Sequence, residues 1–393
     1  MCYRTRVPSL GFAEVAEAAF LAGPKKLQKL SGIAKGTINV FLVIDLLGCC
    51  CVYIVFVAEN IKQVVDFNSS HDLDIRIYMA LLLLPCILLS WVRNLKHLAP
   101  FSMLANLLIA TGMAITFYYI FTELPAPSER PQFSTVHQLP LFFGTAIFAL
   151  EGIGVVMPLE NNMKTPTHFV GCPGVLNIGM FIVVLLYSGF GFFGYLKYGD
   201  DTLGSVTLNL PTEDILAQSV KVMIAVAIFL TYGLQFYVPM EIIWKGLKPH
   251  CSQRPALYEY LIRTVLVVLT VCIAAAIPNL GPFISLVGAV CLSTLGIMFP
   301  AIIEVVTFWE KDGDQTISCC GNNSAIEGGD DCTKVKGIKS EIPQTTGCTI
   351  FSVRACRLVK NTLIVLFGIL GFVTGTIVSL EEIVDAFGKP WHP

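Results

Sequence analysis

Apolar runs of about twenty residues recur along this chain and constrain its fold more than any other feature. Coiled as an α-helix that rises ~1.5 Å per residue, a run of that length spans the ~30 Å hydrocarbon core of a bilayer. Of the 393 residues, 54% are hydrophobic and only 14% are charged, which is more apolar surface than one soluble core buries. The sequence therefore predicts an all-α, polytopic membrane protein.

We predict about nine transmembrane helices. They cover residues 38–58, 77–92, 101–122, 140–159, 176–196, 219–240, 259–277, 283–308 and 362–384. Lysine and arginine are concentrated in the N-terminal segment and in the loops that nine spans place on the same side of the membrane. Because these residues are enriched on the cytosolic side, this predicts a cytosolic N-terminus and an outer or lumenal C-terminus. The sequon Asn68-Ser69-Ser70 then lies outside, so Asn68 is a candidate glycosylation site.

The predicted organisation has four parts. Residues 1–37 form a cytosolic segment, 38–309 a transmembrane core of eight spans, 310–360 a polar cytosolic loop without order, and 361–393 the last helix with a short outer tail. The cysteines of the polar loop lack paired C-x-x-C spacing. We therefore predict neither a metal nor a cofactor.

Glu151 lies within the fourth predicted span, roughly 17 Å from its start and near the bilayer midplane. A carboxylate at that depth is costly, and the glycines beside it weaken the helix. Backbone N–H and C=O groups that lose their helical hydrogen bonds at that depth have to line a cavity or be buried in protein. We interpret the run as a break that binds a small polar substrate through Phe148, Glu151, Gly152 and Gly154, with Glu151 also able to carry a proton. The alternative is that Glu151 is a structural acid, hydrogen-bonded to a neighbouring helix.

Three further residues are candidates. Tyr232 and Gln235 are three residues apart in the sixth span and share a helix face, so both can hydrogen-bond a ligand. Polar contact between helices explains them equally well. Asp45, about 10 Å into the first span, is a second candidate for proton coupling, unless it is an interfacial residue at the start of that span.

No enzyme is predicted. The chain has neither a Walker loop nor an H-E-x-x-H motif, and no histidine falls in a predicted span. The net charge of −2 and the lack of a long basic stripe give no sign of a nucleic-acid partner.

Four sequence blocks together resemble the proton-coupled amino acid transporters of animals, in the amino acid/auxin permease superfamily. They are Leu141–Asn161, Gly204–Pro211, Gln235–Ile243 and Ile284–Gly288, and the resemblance extends over about residues 7–309 and 358–385. It implies a LeuT-like inverted-repeat transporter that moves small neutral amino acids, such as glycine, alanine and proline, with a proton. It also implies the plasma membrane or a lysosomal or endosomal membrane.

The chain departs from this family at its N-terminus. Residues 7–29 resemble the family's cytosolic connection between its second and third helices, so the expected fold is truncated and lacks the first two helices. In the family, the first helix carries much of the substrate site. Two functions follow as hypotheses: proton-coupled amino acid symport, or a non-transporting short isoform or incomplete gene model that acts as a regulatory or interaction membrane protein.

Overall fold

The computed structural model describes residues 10–69, 72–93, 95–131, 135–150, 152, 156, 159–161, 163–171, 173–250, 254–309 and 348–388. Every regular element in these residues is helical. The principal helices are α1 (Phe12–Leu21), α2 (Lys25–Gln28), α3 (Ser31–Ser69), α4 (Ile75–Ser90), α5 (Leu95–Phe121), α6 (Leu139–Ala149), α7 (Val175–Tyr198), α8 (Ile215–Leu247), α9 (Pro255–Ala276), α10 (Leu280–Val287), a π-helix (Gly288–Met298), α11 (Phe299–Phe308) and α12 (Cys348–Gly388).

Within these residues, seven helical segments are long and apolar enough to cross a membrane. They are Ser31–Ser69, Pro100–Phe121, Val175–Asp201, Ile215–Leu247, Pro255–Ala276, Leu280–Phe308 and Ala355–Asp385. Two shorter apolar helices are Ile75–Ser90, which matches the second predicted span, and Val136–Ala149, which overlaps only the first half of the fourth predicted span. The prediction of an all-α, polytopic membrane protein is confirmed.

Local sequence sets several helix ends. The Asp74 carboxylate accepts a hydrogen bond from the Arg76 N–H at 2.9 Å and caps the start of α4. Pro255 occupies the first turn of α9, where its missing N–H costs no helical hydrogen bond. Gly199 ends α7 with φ of +61°, a left-handed conformation that favours glycine.

Helix α3 and the eighth span differ from their predictions. Helix α3 continues to Ser69, well past the predicted end at residue 58, because Lys62 and Asp66 pair along the helix and keep it folded beyond its apolar part. The eighth span is divided into α10, the π-helix and α11. Residues 310–347 of the predicted polar loop lie outside the described residues, and α12 begins at Cys348.

The chain forms two compact units. In the smaller unit, residues 1–36 and 297–367, α1 packs against α11, and the Lys360 ammonium pairs with Glu304 at 2.9 Å. The larger unit comprises residues 37–296 and 368–393. Its main packing pairs are α5 with α8, α4 with α9, and α6 with α10. Buried side chains of α3, α4, α8, α9 and α10 form its core.

Candidate functional site

Helix α6 ends in the middle of an apolar segment. The Leu150 N–H closes its last turn on the Ala146 carbonyl at 3.2 Å, and the chain then leaves helical geometry. Gly152 is half-buried, and its carbonyl accepts a hydrogen bond from the Val156 N–H at 2.9 Å, which starts a new turn. The helix therefore ends beside the glycines at which the sequence predicts a break. Glu151 and Gly154 lie outside the described residues.

Two glycines allow the backbone of α6 to approach α10 and the π-helix closely. A Cβ atom on Gly144 would lie 2.7 Å from the Ser285 carbonyl oxygen. A Cβ atom on Gly288 would lie 3.1 Å from the Phe148 Cβ and would overlap the Gly144 carbonyl. The close approach thus requires a residue without a side chain at both positions.

A chain of serines fixes the same contact. The buried Ser285 hydroxyl donates to the Leu141 carbonyl of α6 at 3.1 Å. The buried Ser379 hydroxyl of α12 donates in turn to the Ser285 hydroxyl at 3.0 Å. The end of α6 is therefore held against α10, next to the point where the π-helix begins. A π-helical segment is often found at a functional site.

Two predicted site residues share one apolar cluster. Phe148 packs against the core cluster to which Tyr232 belongs. Tyr232 is only 1% exposed, and its hydroxyl lies 3.2 Å from the Thr270 Oγ1 atom on α9. Tyr232 also lines a small apolar cavity between α3, α4 and α8, together with Tyr53, Ile54, Val57, Leu82, Cys86 and Phe229.

The remaining candidates occupy different places. Gln235 is half-buried on α8 and does not line that cavity. Asp45 is fully buried on α3, which is not the environment of an interfacial side chain. One turn further along, a Cβ atom on Gly48 would lie 3.1 Å from Val287, so this part of α3 packs against the end of α10. Asn68 is exposed, as glycosylation requires.

Glu59 is a half-buried acid that the sequence pattern did not single out. Its carboxylate lies against the Leu280 backbone N–H, at the first residue of α10. Its Oε2 atom is buried and has no hydrogen-bond partner among the described residues. Glu59 falls one residue beyond the predicted end of the first span. The available signal was its position directly after an apolar run and before the charged end of the helix.

Polar networks lie at both ends of α4. At its start, the Lys62 ammonium contacts Asp66 and Asp72 at 2.5 Å each, and the Tyr78 hydroxyl donates to Asp66 at 2.5 Å. Nearby on α8, the fully buried Lys221 donates to Gln63 at 2.8 Å.

At the other end of α4, Glu259 accepts hydrogen bonds from Arg263 at 3.0 Å and from Arg93 at 2.7 Å. Desolvation disfavours the charged form of Arg93, but the hydrogen bonds and charge interactions with Glu259 and Tyr260 together outweigh that effect and raise the pKa of Arg93. Arg263 also donates to the Ser90 carbonyl at 2.8 Å.

No set of three or more histidine, cysteine or acidic side chains in the described part of the chain is placed to hold a metal ion.

Comparison with known proteins agrees with the resemblance in the sequence. Residues 9–320 match the family described as transmembrane amino acid transporter protein. The chain is 49% identical over 311 residues to the proton-coupled amino acid transporter-like protein pathetic of Drosophila melanogaster, covering 79% of this chain and 65% of that protein. It is 26% identical over 357 residues to the amino acid transporter AVT3A of Arabidopsis thaliana, covering 89% and 71%. The chain spans just under two thirds of the length of the fly relative (65%). Since the family match extends over most of its residues, this protein belongs to the transmembrane amino acid transporter family.

Proposed function

We propose that this protein moves small neutral amino acids across a membrane in symport with protons. The observation that carries the proposal is the end of α6 at Ala149, inside an apolar segment of a chain from this family. The last carbonyls of a helix carry partial negative charge and attract an ammonium group. The N–H groups that begin the next turn carry partial positive charge and attract a carboxylate. An interrupted helix therefore suits a zwitterion such as an amino acid.

The surroundings favour a small, uncharged side chain. Phe148 and Tyr232 are part of an apolar cluster, and the cavity beside Tyr232 is small. A charged substrate side chain would lose its hydration there without gaining a partner. We retain Glu151, Gly152, Gly154 and Gln235 as further substrate-binding candidates, and Glu151 with Asp45 as candidates for proton coupling.

The proposed setting is the plasma membrane or a lysosomal or endosomal membrane, with the N-terminus in the cytosol and the C-terminus outside or in the lumen. The name of the fly relative, proton-coupled amino acid transporter-like protein pathetic, supports proton coupling. Alternating access would involve movement around the interrupted helix.

The direct test is uptake of radiolabelled glycine, alanine and proline into proteoliposomes that contain the purified chain. We expect uptake to rise when the outside is made acidic, and to resist competition by lysine or glutamate. Uptake no greater than in empty vesicles would exclude transport by this chain. Uptake that ignores the pH gradient would exclude proton coupling.

The role of Tyr232 is tested by Tyr232→Phe, with Thr270→Val as the matched control. Each variant removes one partner of the same hydrogen bond, which contributes about 1 kcal/mol to stability. If Tyr232 also binds substrate, only Tyr232→Phe raises the KM for uptake. Equal kinetic effects of the two variants would leave the tyrosine a purely structural role.

A further inference from the structure

Glu59 lies on α3, 14 residues after the proton-coupling candidate Asp45. Its carboxylate lies against the backbone N–H of Leu280, the first residue of α10. The first N–H groups of a helix lack partners within the helix and carry partial positive charge, so this contact stabilises the ionised carboxylate.

The Oε2 atom of the same carboxylate has the opposite preference. It is buried, and no described residue donates a hydrogen bond to it. A buried carboxylate oxygen without a donor is costly, and adding a proton to it lowers that cost because the negative charge is lost. The Leu280 N–H thus favours the charged form of Glu59, and the buried Oε2 atom without a donor favours the neutral form. A group that exchanges protons during transport needs both forms to be accessible.

The neighbouring elements contribute few competing charges. On α3, Lys62 and Asp66 lie beyond Glu59 and pair with each other. On α8, Lys221 donates to Gln63, one turn after Glu59, and to the Leu210 carbonyl. Helix α10 contains no titratable side chain.

The loop that packs against the start of α10 carries two acids. A Cβ atom on Gly204 would lie 2.9 Å from the Gly281 nitrogen, so this loop approaches the same helix end. Its acids are Asp200 and Asp201, both exposed.

We propose that Glu59 is the group that takes up and releases the coupled proton. This inference rests on the proton-coupled transport proposed above. An O–H bond forms at Oε2 when the site faces the acidic side, and the same bond breaks when the proton leaves to the opposite side. The partial positive charge at the start of α10 stabilises the carboxylate after release.

The test is Glu59→Gln, which keeps the size of the side chain and removes its titration. In proteoliposomes we expect the ratio of uptake at acidic to neutral outside pH to fall to unity. Substrate-induced acidification of the vesicle interior should disappear as well. Exchange of labelled for unlabelled substrate, which needs no net proton movement, should stay close to that of the unmodified chain. Unchanged acid stimulation in Glu59→Gln would overturn the proposal.

Two further variants sharpen the result. Glu59→Asp keeps a titratable carboxyl, and it should restore part of the acid stimulation. Asp66→Asn removes a nearby acid on the same helix and should leave the stimulation intact. Replacement of sodium by choline should not change uptake. Uptake that depends on sodium and does not respond to pH would contradict a proton site.

Infrared spectroscopy tests Glu59 independently of transport. The carboxylic C=O stretching band is followed across a pH titration of the reconstituted chain and of Glu59→Gln. A pH-dependent band that is present only in the unmodified chain supports the assignment, even if Glu59→Gln also loses exchange. Identical titrations would overturn it. If the unmodified chain shows no uptake, the proposed transport fails, and the infrared comparison still decides whether Glu59 takes up a proton.

Discussion

At the scale of single residues, small side chains decide how the candidate site is built. Gly144 and Gly288 face each other across the contact between α6 and the π-helix, and neither position has room for a Cβ atom. Ser285 adds a hydrogen bond from α10 to the Leu141 carbonyl at the same contact. Polar and small side chains bring helices together in a bilayer, where lipid is as apolar as leucine.

Gly288→Ala tests this contact. Its new methyl group would overlap the Gly144 carbonyl, so we expect a loss of about 1–3 kcal/mol in the free energy of unfolding. The midpoint of thermal unfolding in detergent measures the effect. Gly179→Ala on α7 is the control, because its new methyl group would have no neighbour within 4 Å in the described part of the chain and a helical alanine is favourable. Equal midpoints for Gly288→Ala and the unmodified chain would mean that α6 does not pack as described.

At the scale of elements, α4 connects polar networks at its two ends. Glu259 and Arg263 on α9 are 4% and 5% exposed, and Arg263 reaches the Ser90 carbonyl at the end of α4. This network orients α9 relative to α4. Removing one member of a buried ion pair costs more than the pair itself contributes, since the remaining charge loses its partner.

Glu259→Ala is therefore expected to lower the free energy of unfolding by about 3–5 kcal/mol. Glu241→Ala is the matched control. Glu241 forms an i,i+4 pair with Lys245 at 2.9 Å, but both side chains are largely exposed, so its loss should cost less than about 1 kcal/mol. Similar losses for both variants, measured by thermal unfolding, would contradict the buried network.

Asp214 makes the start of α8 sensitive to acid. Hydrogen bonds from the Tyr119 hydroxyl and then from the Leu216 N–H hold the pKa of Asp214 below its ordinary value of 3.8. Because its pKa is lower in the folded than in the unfolded protein, the ionised carboxylate stabilises the fold at every pH above the unfolded-state pKa. This stabilisation is lost as the pH falls through the folded-state pKa. We expect Asp214→Asn to lower the unfolding midpoint at neutral pH, and the difference from the unmodified chain to vanish in strong acid. A difference that is the same at every pH would refute the assignment.

At the scale of the whole molecule, the positions of the charges match a chain that crosses a bilayer. Lysine and arginine cluster at the predicted cytosolic segments, and Asn68 is exposed near the C-terminal end of α3. These positions support the proposed topology.

Glycosylation tests that topology. In eukaryotic cells we expect glycosidase treatment to increase the electrophoretic mobility of the unmodified chain but not of Asn68→Gln. Asn322 is the internal control, because its sequon lies in the predicted cytosolic loop and Asn322→Gln should behave as the unmodified chain. A glycan on Asn322 instead of Asn68 would reverse the proposed orientation.

The sequence alone determined the fold class, the approximate positions of the apolar helices and the interruption near Gly152. These are local properties, because the length of an apolar run is set by the bilayer and glycine weakens a helix wherever it stands. Family membership was also recognisable, since it depends on the order of short sequence blocks.

Only the tertiary structure decided which side chains meet. Thr270 is 38 residues from Tyr232 in the sequence, and Ser285 is 144 residues from Leu141. In the sequence, Glu59 is an ordinary polar residue after an apolar span. Only the packing of α10 brings the Leu280 N–H against it. Periodicity and composition describe each helix by itself, whereas the partner of a buried polar group depends on how helices distant in sequence pack together.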